Sequence, residues 1–151
     1  MQETSYSVNI LDGWNMVGIS VASDISFYDQ IFENTINNSL YFFNEDGAYE
    51  PSENLQIGVG YWLRFNLQYE ANISGNALTL LTIDVIEGWN LISGITYPVL
   101  IDMIDDPSNL IIPGTVFKFN GSYIDTDSIS PGFGYWVRCS GNGPITFDIS
   151  E

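Results

Sequence analysis

The 151-residue chain predicts a mostly-β fold with two short helices, built as two tandem pseudo-symmetric repeats of small antiparallel sheets sharing a core. A sandwich or a double barrel is the expected arrangement. Three observations carry the prediction. The chain repeats itself in order, most of its segments alternate with period two, and Ile, Val, Thr, Tyr and Phe dominate those segments.

The repeat is spelled by four landmarks. Gly13-Trp14-Asn15-Met16-Val17 returns as Gly88-Trp89-Asn90-Leu91-Ile92, and Leu40-Tyr41-Phe42-Phe43-Asn44 returns as Val116-Phe117-Lys118-Phe119-Asn120. Gly47-Ala48-Tyr49 returns as Gly121-Ser122-Tyr123, and Gly58-Val59-Gly60-Tyr61-Trp62-Leu63-Arg64 as Gly132-Phe133-Gly134-Tyr135-Trp136-Val137-Arg138. The repeats are placed at 1–76 and 77–151. A unit of that size buries a modest fraction of its surface alone. With 45% apolar residues and no Pro-, Ser- or Gly-rich linker, one packed pseudo-twofold unit is expected. The junction from Ala77 to Ile86 reads as continuous strand.

Along the chain, 6–11 and 14–20 read as strands joined across Asp12-Gly13, a hairpin signal, with Glu87-Gly88 in the same place of the second repeat. Further strands are expected near 39–44, 48–50, 60–66 and 69–74, with counterparts near 115–120, 122–125, 134–140 and 144–149. Residues 26–32 have helical spacing after an Asp24 cap. Their partner is 98–104, with Pro98 in a first helical turn.

Charge excludes some functions. Nineteen acidic residues face three basic ones (Arg64, Lys118, Arg138), a formal charge of −16. Such a surface repels nucleic-acid phosphates and anionic membranes. No stretch is apolar enough to span a bilayer, so no membrane insertion is expected. The first residues carry no leader signature, so an exported protein would have lost its leader already. Cys139 is the single cysteine and stands where Phe65 stands in the first repeat, which reads as a buried thiol.

Histidine is absent, and no nucleophile elbow, phosphate loop or Cys-x-x-Cys is present, so no enzyme and no catalytic residue is expected. Hydrolysis by an unidentified carboxylate pair is the remaining catalytic alternative. No cofactor is expected. Calcium is the one metal the acidic clusters bring into question, at Asp102, Asp105 and Asp106, at Asp125 and Asp127, and at Glu45 and Asp46. None completes an EF-hand loop, the repeats do not share them, and they read as solvated turns.

Candidate binding residues come from the Gly-x-Gly-Tyr-Trp-x-Arg segments. Alternation puts Tyr61, Leu63 and Phe65 on one face and Trp62 with Arg64 on the other; Trp136 and Arg138 repeat the pair. Each arginine is expected to lie against its indole or pair with a carboxylate. The pair reads either as structural, the cation covering its indole, or as a stacking platform with a hydrogen-bonding fork for a sugar ring or a carboxylate. Tyr49 and Tyr123, each following a turn glycine, are expected as exposed contact residues. Trp14 and Trp89 are expected to cap the core edge, with Asn15 and Asn90 satisfying local backbone groups.

The order Gly-Trp-Asn, short helix, aromatic strand, turn-Tyr and Gly-x-Gly-Tyr-Trp resembles a repeat module of secreted and cell-surface proteins of bacteria and archaea. That module is often tandem and set beside immunoglobulin-like or other surface domains. The likeness covers both halves, and Pro131 gives the second copy a Pro-Gly where the first has Ile57-Gly58. The resemblance implies an extracellular or cell-surface location and an accessory role, with no catalytic residues and no defined ligand. Two non-catalytic functions fit the residues. One is an adhesive or ligand-binding module, with polysaccharide the favoured partner. The other is a building block of a surface layer, filament or larger secreted protein, docking on other surface domains.

Overall fold

A computed structural model describes residues 3–149 and is all-β apart from two helical turns. The first half contains β1 (Glu3–Ile10), β2 (Gly13–Val17), β3 (Val21–Ala22), α1 (Tyr28–Ile31), β4 (Tyr41–Phe43), β5 (Tyr49–Pro51), β6 (Tyr61–Phe65) and β7 (Tyr69–Ala77). The second contains β8 (Leu80–Val85), β9 (Gly88–Ile92), β10 (Val99–Leu100), a 3-10 turn (Ile101–Met103), β11 (Phe117–Phe119), β12 (Tyr123–Asp125), β13 (Ser128–Ile129), β14 (Tyr135–Cys139) and β15 (Gly143–Asp148).

All strand pairs are antiparallel, in several small sheets, and no sheet closes into a barrel. The double-barrel alternative is therefore wrong. In the first half, β1 pairs along its length with β7, whose far end also holds β3; β2, β6, β4 and β5 form a four-stranded sheet in that order. In the second half, β8 pairs with β15, β10 with β13, and β9, β14, β11 and β12 form the other four-stranded sheet.

Asp12-Gly13 and Glu87-Gly88 are not hairpin turns, because the strands on either side enter different sheets. Each is a corner latched by an asparagine. The Asn15 side chain accepts from Leu11 N–H (2.9 Å) and donates to the carbonyls of Leu11 and Gly13 (2.9 and 3.1 Å). Asn90 makes the same three bonds to Ile86 and Gly88. The expected local role of both asparagines holds, but an Asx-type latch spells almost the same sequence as a hairpin turn.

Other expectations shift. The N-cap of α1 is Phe27, without a side-chain cap, rather than Asp24, and the helix is a single turn. Pro98 precedes β10 instead of opening a helix; its helical stretch shrinks to the 3-10 turn. The junction strand breaks after Ala77, because Thr96 binds Leu78 on both sides: Leu78 N–H donates to Thr96 Oγ1 (2.8 Å) and Leu78 C=O accepts from Thr96 N–H (3.1 Å).

Burial alternates as period two requires. In β6 and β14 residues 61, 63, 65 and 135, 137, 139 are buried. They contribute to two apolar clusters rather than one shared core. One gathers Val8, Ile10, Phe32, Leu63, Phe65 and Ile73 with their neighbours, the other Val85, Ile92, Val137, Cys139, Ile145 and Phe147 with theirs. Phe133 packs against both. Between the two centres runs a seam rich in backbone hydrogen bonds, crossed by the side chains of Ser20, Thr96 and Phe133.

At that seam the contacts come in matched pairs. Gly60 N–H donates to Leu91 C=O (3.1 Å), and Gly134 N–H to Met16 C=O (3.0 Å). Ser93 N–H donates to Gly58 C=O and Gly18 N–H to Gly132 C=O, both at 3.1 Å. Such close approach needs missing side chains: a Cβ on Gly60 would stand 2.7 Å from the Ile92 carbonyl oxygen. Ser20 and Thr96 finish the seam, Ser20 Oγ accepting from Gly132 N–H (2.9 Å) and Thr96 Oγ1 donating to Ser20 C=O (2.7 Å).

Candidate ligand-binding face

The outward faces of the two four-stranded sheets carry ten aromatic rings, among them all four tryptophans. Alternation accounts for them. Phe42 turns inward onto Tyr61, so Tyr41 and Phe43 turn outward; Trp62 lies opposite Tyr41 on one side and Met16 on the other. The second sheet repeats the layout with Phe117, Phe119 and Trp136, the last opposite Leu91. Met16 and Leu91 are buried.

Corresponding pairs have nearly the same geometry. Trp14 and Trp62 meet edge-to-face at 6.4 Å and 85°, Trp89 and Trp136 at 6.2 Å and 84°. Trp14–Tyr41 and Trp89–Phe117 are tilted at 6.4 and 6.1 Å. The halves also exchange rings. Phe43 of the first half meets Trp136 at 4.9 Å, while Phe119 of the second meets Trp62 at 5.0 Å. Each hairpin adds its tyrosine, Tyr49 on Phe43 at 5.5 Å and Tyr123 on Phe119 at 5.4 Å. Trp62 Nε1–H donates to Tyr49 Oη at 3.2 Å, joining the two ring clusters. Burial holds the Tyr49 hydroxyl above its ordinary pKa, the Trp62 bond opposes this, and nearby Tyr123 adds to it.

Two open hollows result. One, of about 340 Å³, is lined by Phe43, Trp89, Phe117, Tyr123 and Trp136; the other, of about 390 Å³, by Trp14, Tyr41, Tyr49 and Trp62. The structure thus brings Tyr49, Trp62, Tyr123 and Trp136 onto one surface, and the tyrosines are half exposed as expected (51% and 54%).

Two expectations fail here. Trp14 and Trp89 do not cap the core; at 41% and 40% exposure they are open rings of this face. Arg64 and Arg138 do occupy equivalent places, each directly across from a tryptophan, Trp14 and Trp89 respectively. Yet among the described residues neither has a carboxylate at ion-pair distance or a ring stacked against it. Both are exposed. The guanidiniums are donors at the margin of the face.

Tyr41, Phe43, Phe117 and Phe119 also belong to this face, beyond the residues expected from the sequence. The signal was present: in Phe117-Lys118-Phe119 two rings flank a cation, so period two must put both rings on the face opposite the lysine.

The remaining chemistry is sparse. Asp102, Asp106, Asp125 and Asp127 line a separate cleft of about 950 Å³. Both Asp106 oxygens there already accept from Leu110 and Ile111 N–H (2.8 and 2.9 Å). Among the described residues no three His, Cys, Asp or Glu side chains gather as a metal site. The Cys139 thiol is buried, and burial, with Asp106 adding, pushes its pKa up to about 11. Among the described residues no helix is long and apolar enough to cross a membrane.

No family model, curated protein or solved structure matches the chain.

Proposed function

We propose that the protein is a non-catalytic binding module of the cell exterior whose ligand, a carbohydrate, docks on the ring-lined face. One observation carries the reading: ten aromatic rings, none of them fully buried, share one connected surface instead of filling a core. Exposed contiguous apolar patches of this kind mark interaction sites. Flat rings with guanidinium and hydroxyl donors at the margin suit the apolar face and polar rim of a sugar.

The matched contacts support an architecture of two pseudo-symmetric repeats, 1–76 and 77–151, related by a pseudo-twofold axis through the seam. Reciprocal contacts, in which one half's Gly-x-Gly segment docks on the other's Trp-Asn strand, are what a twofold interface produces. Residence outside the cell rests on the module resemblance and on the acidic surface.

Affinity electrophoresis in gels containing neutral polysaccharides tests the function. Retardation is expected for the native protein, with loss for Tyr49→Ala or Tyr123→Ala at unchanged circular dichroism. Silence across a broad glycan panel, with concentration-dependent self-association through the same face, would favour the building-block role instead.

A further inference from the structure

We infer that the two ring clusters are subsites of one cleft, and that its occupant is a single linear, neutral, β-1,4-linked polysaccharide chain with equatorial hydroxyls. This rests on the reading of the face as a glycan surface and adds the chemistry and the valency of the ligand.

Continuity comes first. Trp14, Tyr41, Trp62, Phe119 and Tyr123 form one set of touching rings, and Trp89, Phe117, Trp136, Phe43 and Tyr49 the other. Each set contains rings from both halves, so neither half owns a complete subsite. The Trp62–Tyr49 hydrogen bond lies where the sets adjoin. A ligand leaving one set therefore meets the other across this Trp62–Tyr49 contact.

The lining then selects the sugar. The hollows offer ring faces, with polar groups reduced to tyrosine hydroxyls and indole N–H, one of which is already used by Tyr49. A hydroxyl pressed against these rings would lose water without gaining a partner, which disfavours binding. The bound face must therefore carry no axial hydroxyl, and a sugar whose hydroxyls are all equatorial meets this on both faces. A β-1,4 linkage, equatorial at both ends, keeps the chain extended while successive rings turn over, so each ring still presents C–H and points its hydroxyls to the rim. There Arg64 and Arg138 can donate.

Charge removes anionic chains. With 19 acids against three cations, a polyuronate or sulfated glycan is repelled as it approaches. A neutral chain pays no such penalty.

The pseudo-twofold relation raises a directional difficulty, since a sugar chain has two different ends. It would run forward over one subsite and backward over the other. Stacking on C–H faces tolerates that reversal, whereas a directional hydrogen-bond network would not. A hollow lined by rings alone is consistent with this requirement.

Isothermal titration of the intact protein with β-1,4-linked gluco-, xylo- and N-acetylglucosamine oligosaccharides of increasing length tests the inference, with α-1,4-linked gluco-oligosaccharides as the contrast. Affinity for at least one β-series should rise ~100-fold or more once the chain reaches both subsites, with one long chain bound per protein. Trp62→Ala and Trp136→Ala should each reduce the long chain to the affinity of a short one. Trp62→Phe and Trp136→Phe, which keep a ring, should recover much of the difference. A flat length dependence, two long chains per protein, equal binding of α-linked chains, or loss with only one of the two tryptophans would overturn the two-subsite chain while leaving a glycan-binding face standing. Absence of binding by every neutral glycan would remove both.

Discussion

The two halves agree where they touch each other and where they present rings, and they diverge elsewhere. Both have the Asn-latched corner, the Gly-x-Gly contact on the opposite strand and the perpendicular tryptophan pair, with distances matching within a few tenths of an ångström. Away from these, the first half adds β3 to its β1–β7 pair and closes a helical turn over 28–31. The second instead pairs β10 with β13 around a 3-10 turn. Phe42 faces the first core where the second half has the exposed Lys118, and Phe65 fills the place of Cys139. The seam tolerates little change because backbone meets backbone; a loop or a core interior can be refilled in several ways.

The sharpest contrast lies at the Phe65/Cys139 position, where both side chains are fully buried. Phe65→Ala should cost about 3–5 kcal/mol, as loss of a buried ring does. Cys139→Ala should cost about 1 kcal/mol, since far less volume is removed. Urea denaturation would measure both. Equal losses would mean that the second core depends on its thiol in a way that packing does not explain.

The corners should instead behave alike. Asn15→Ala and Asn90→Ala each strand the same backbone groups, so each should lose about 1–3 kcal/mol, and by similar amounts. At the seam the halves should separate again. A Cβ on Gly60 meets the Ile92 oxygen at 2.7 Å, whereas one on Gly134 meets the Val17 oxygen at 3.2 Å. Gly60→Ala should therefore destabilise by about 1–3 kcal/mol and Gly134→Ala by less. Thermal unfolding in one transition or two would also show whether the seam couples the clusters.

Alkaline pH should weaken the second core through its buried thiol. Cys139 holds its proton more tightly when folded, its pKa raised from 9.0 to about 11 by burial and then by Asp106. The stability this contributes is whole below pH 9.0 and is lost as pH rises toward 11. Cys139→Ala should flatten that part of the stability profile, and the native thiol should resist a disulfide reagent at pH 8 until the protein unfolds. The smallest effects belong to Arg64→Ala and Arg138→Ala. Exposed and without an ion pair among the described residues, each should change stability by no more than about 0.5 kcal/mol. A larger change in either would reveal a packing role for that guanidinium.

Much of the architecture was legible in the chain. Period two located the strands around Tyr61–Phe65, Tyr135–Cys139 and both aromatic hairpins to within a residue or two, because alternate burial is a local property of an extended backbone. Four of the ten rings of the face were legible for the same reason: Trp62, Trp136, Tyr49 and Tyr123. Trp14 and Trp89 were misread because exposure depends on which sheet lies across a strand, and periodicity does not report that. The arginine–indole stack failed similarly: sharing a strand face fixes the direction of a side chain, not its contact.

By itself the sequence determined an acidic all-β chain written twice, its main strands, the local role of Asn15 and Asn90, and which residues of β6 and β14 point inward. Those properties follow from charge, composition and the two-residue period, which act over a few neighbours. Only the tertiary structure decided that β1 and β2 enter different sheets, that two cores form instead of one, and that each half lends rings to the other's tryptophan. Those outcomes depend on partners far along the chain, such as Phe43 with Trp136 and Gly60 with Leu91, whose meeting is selected by the packing of the whole.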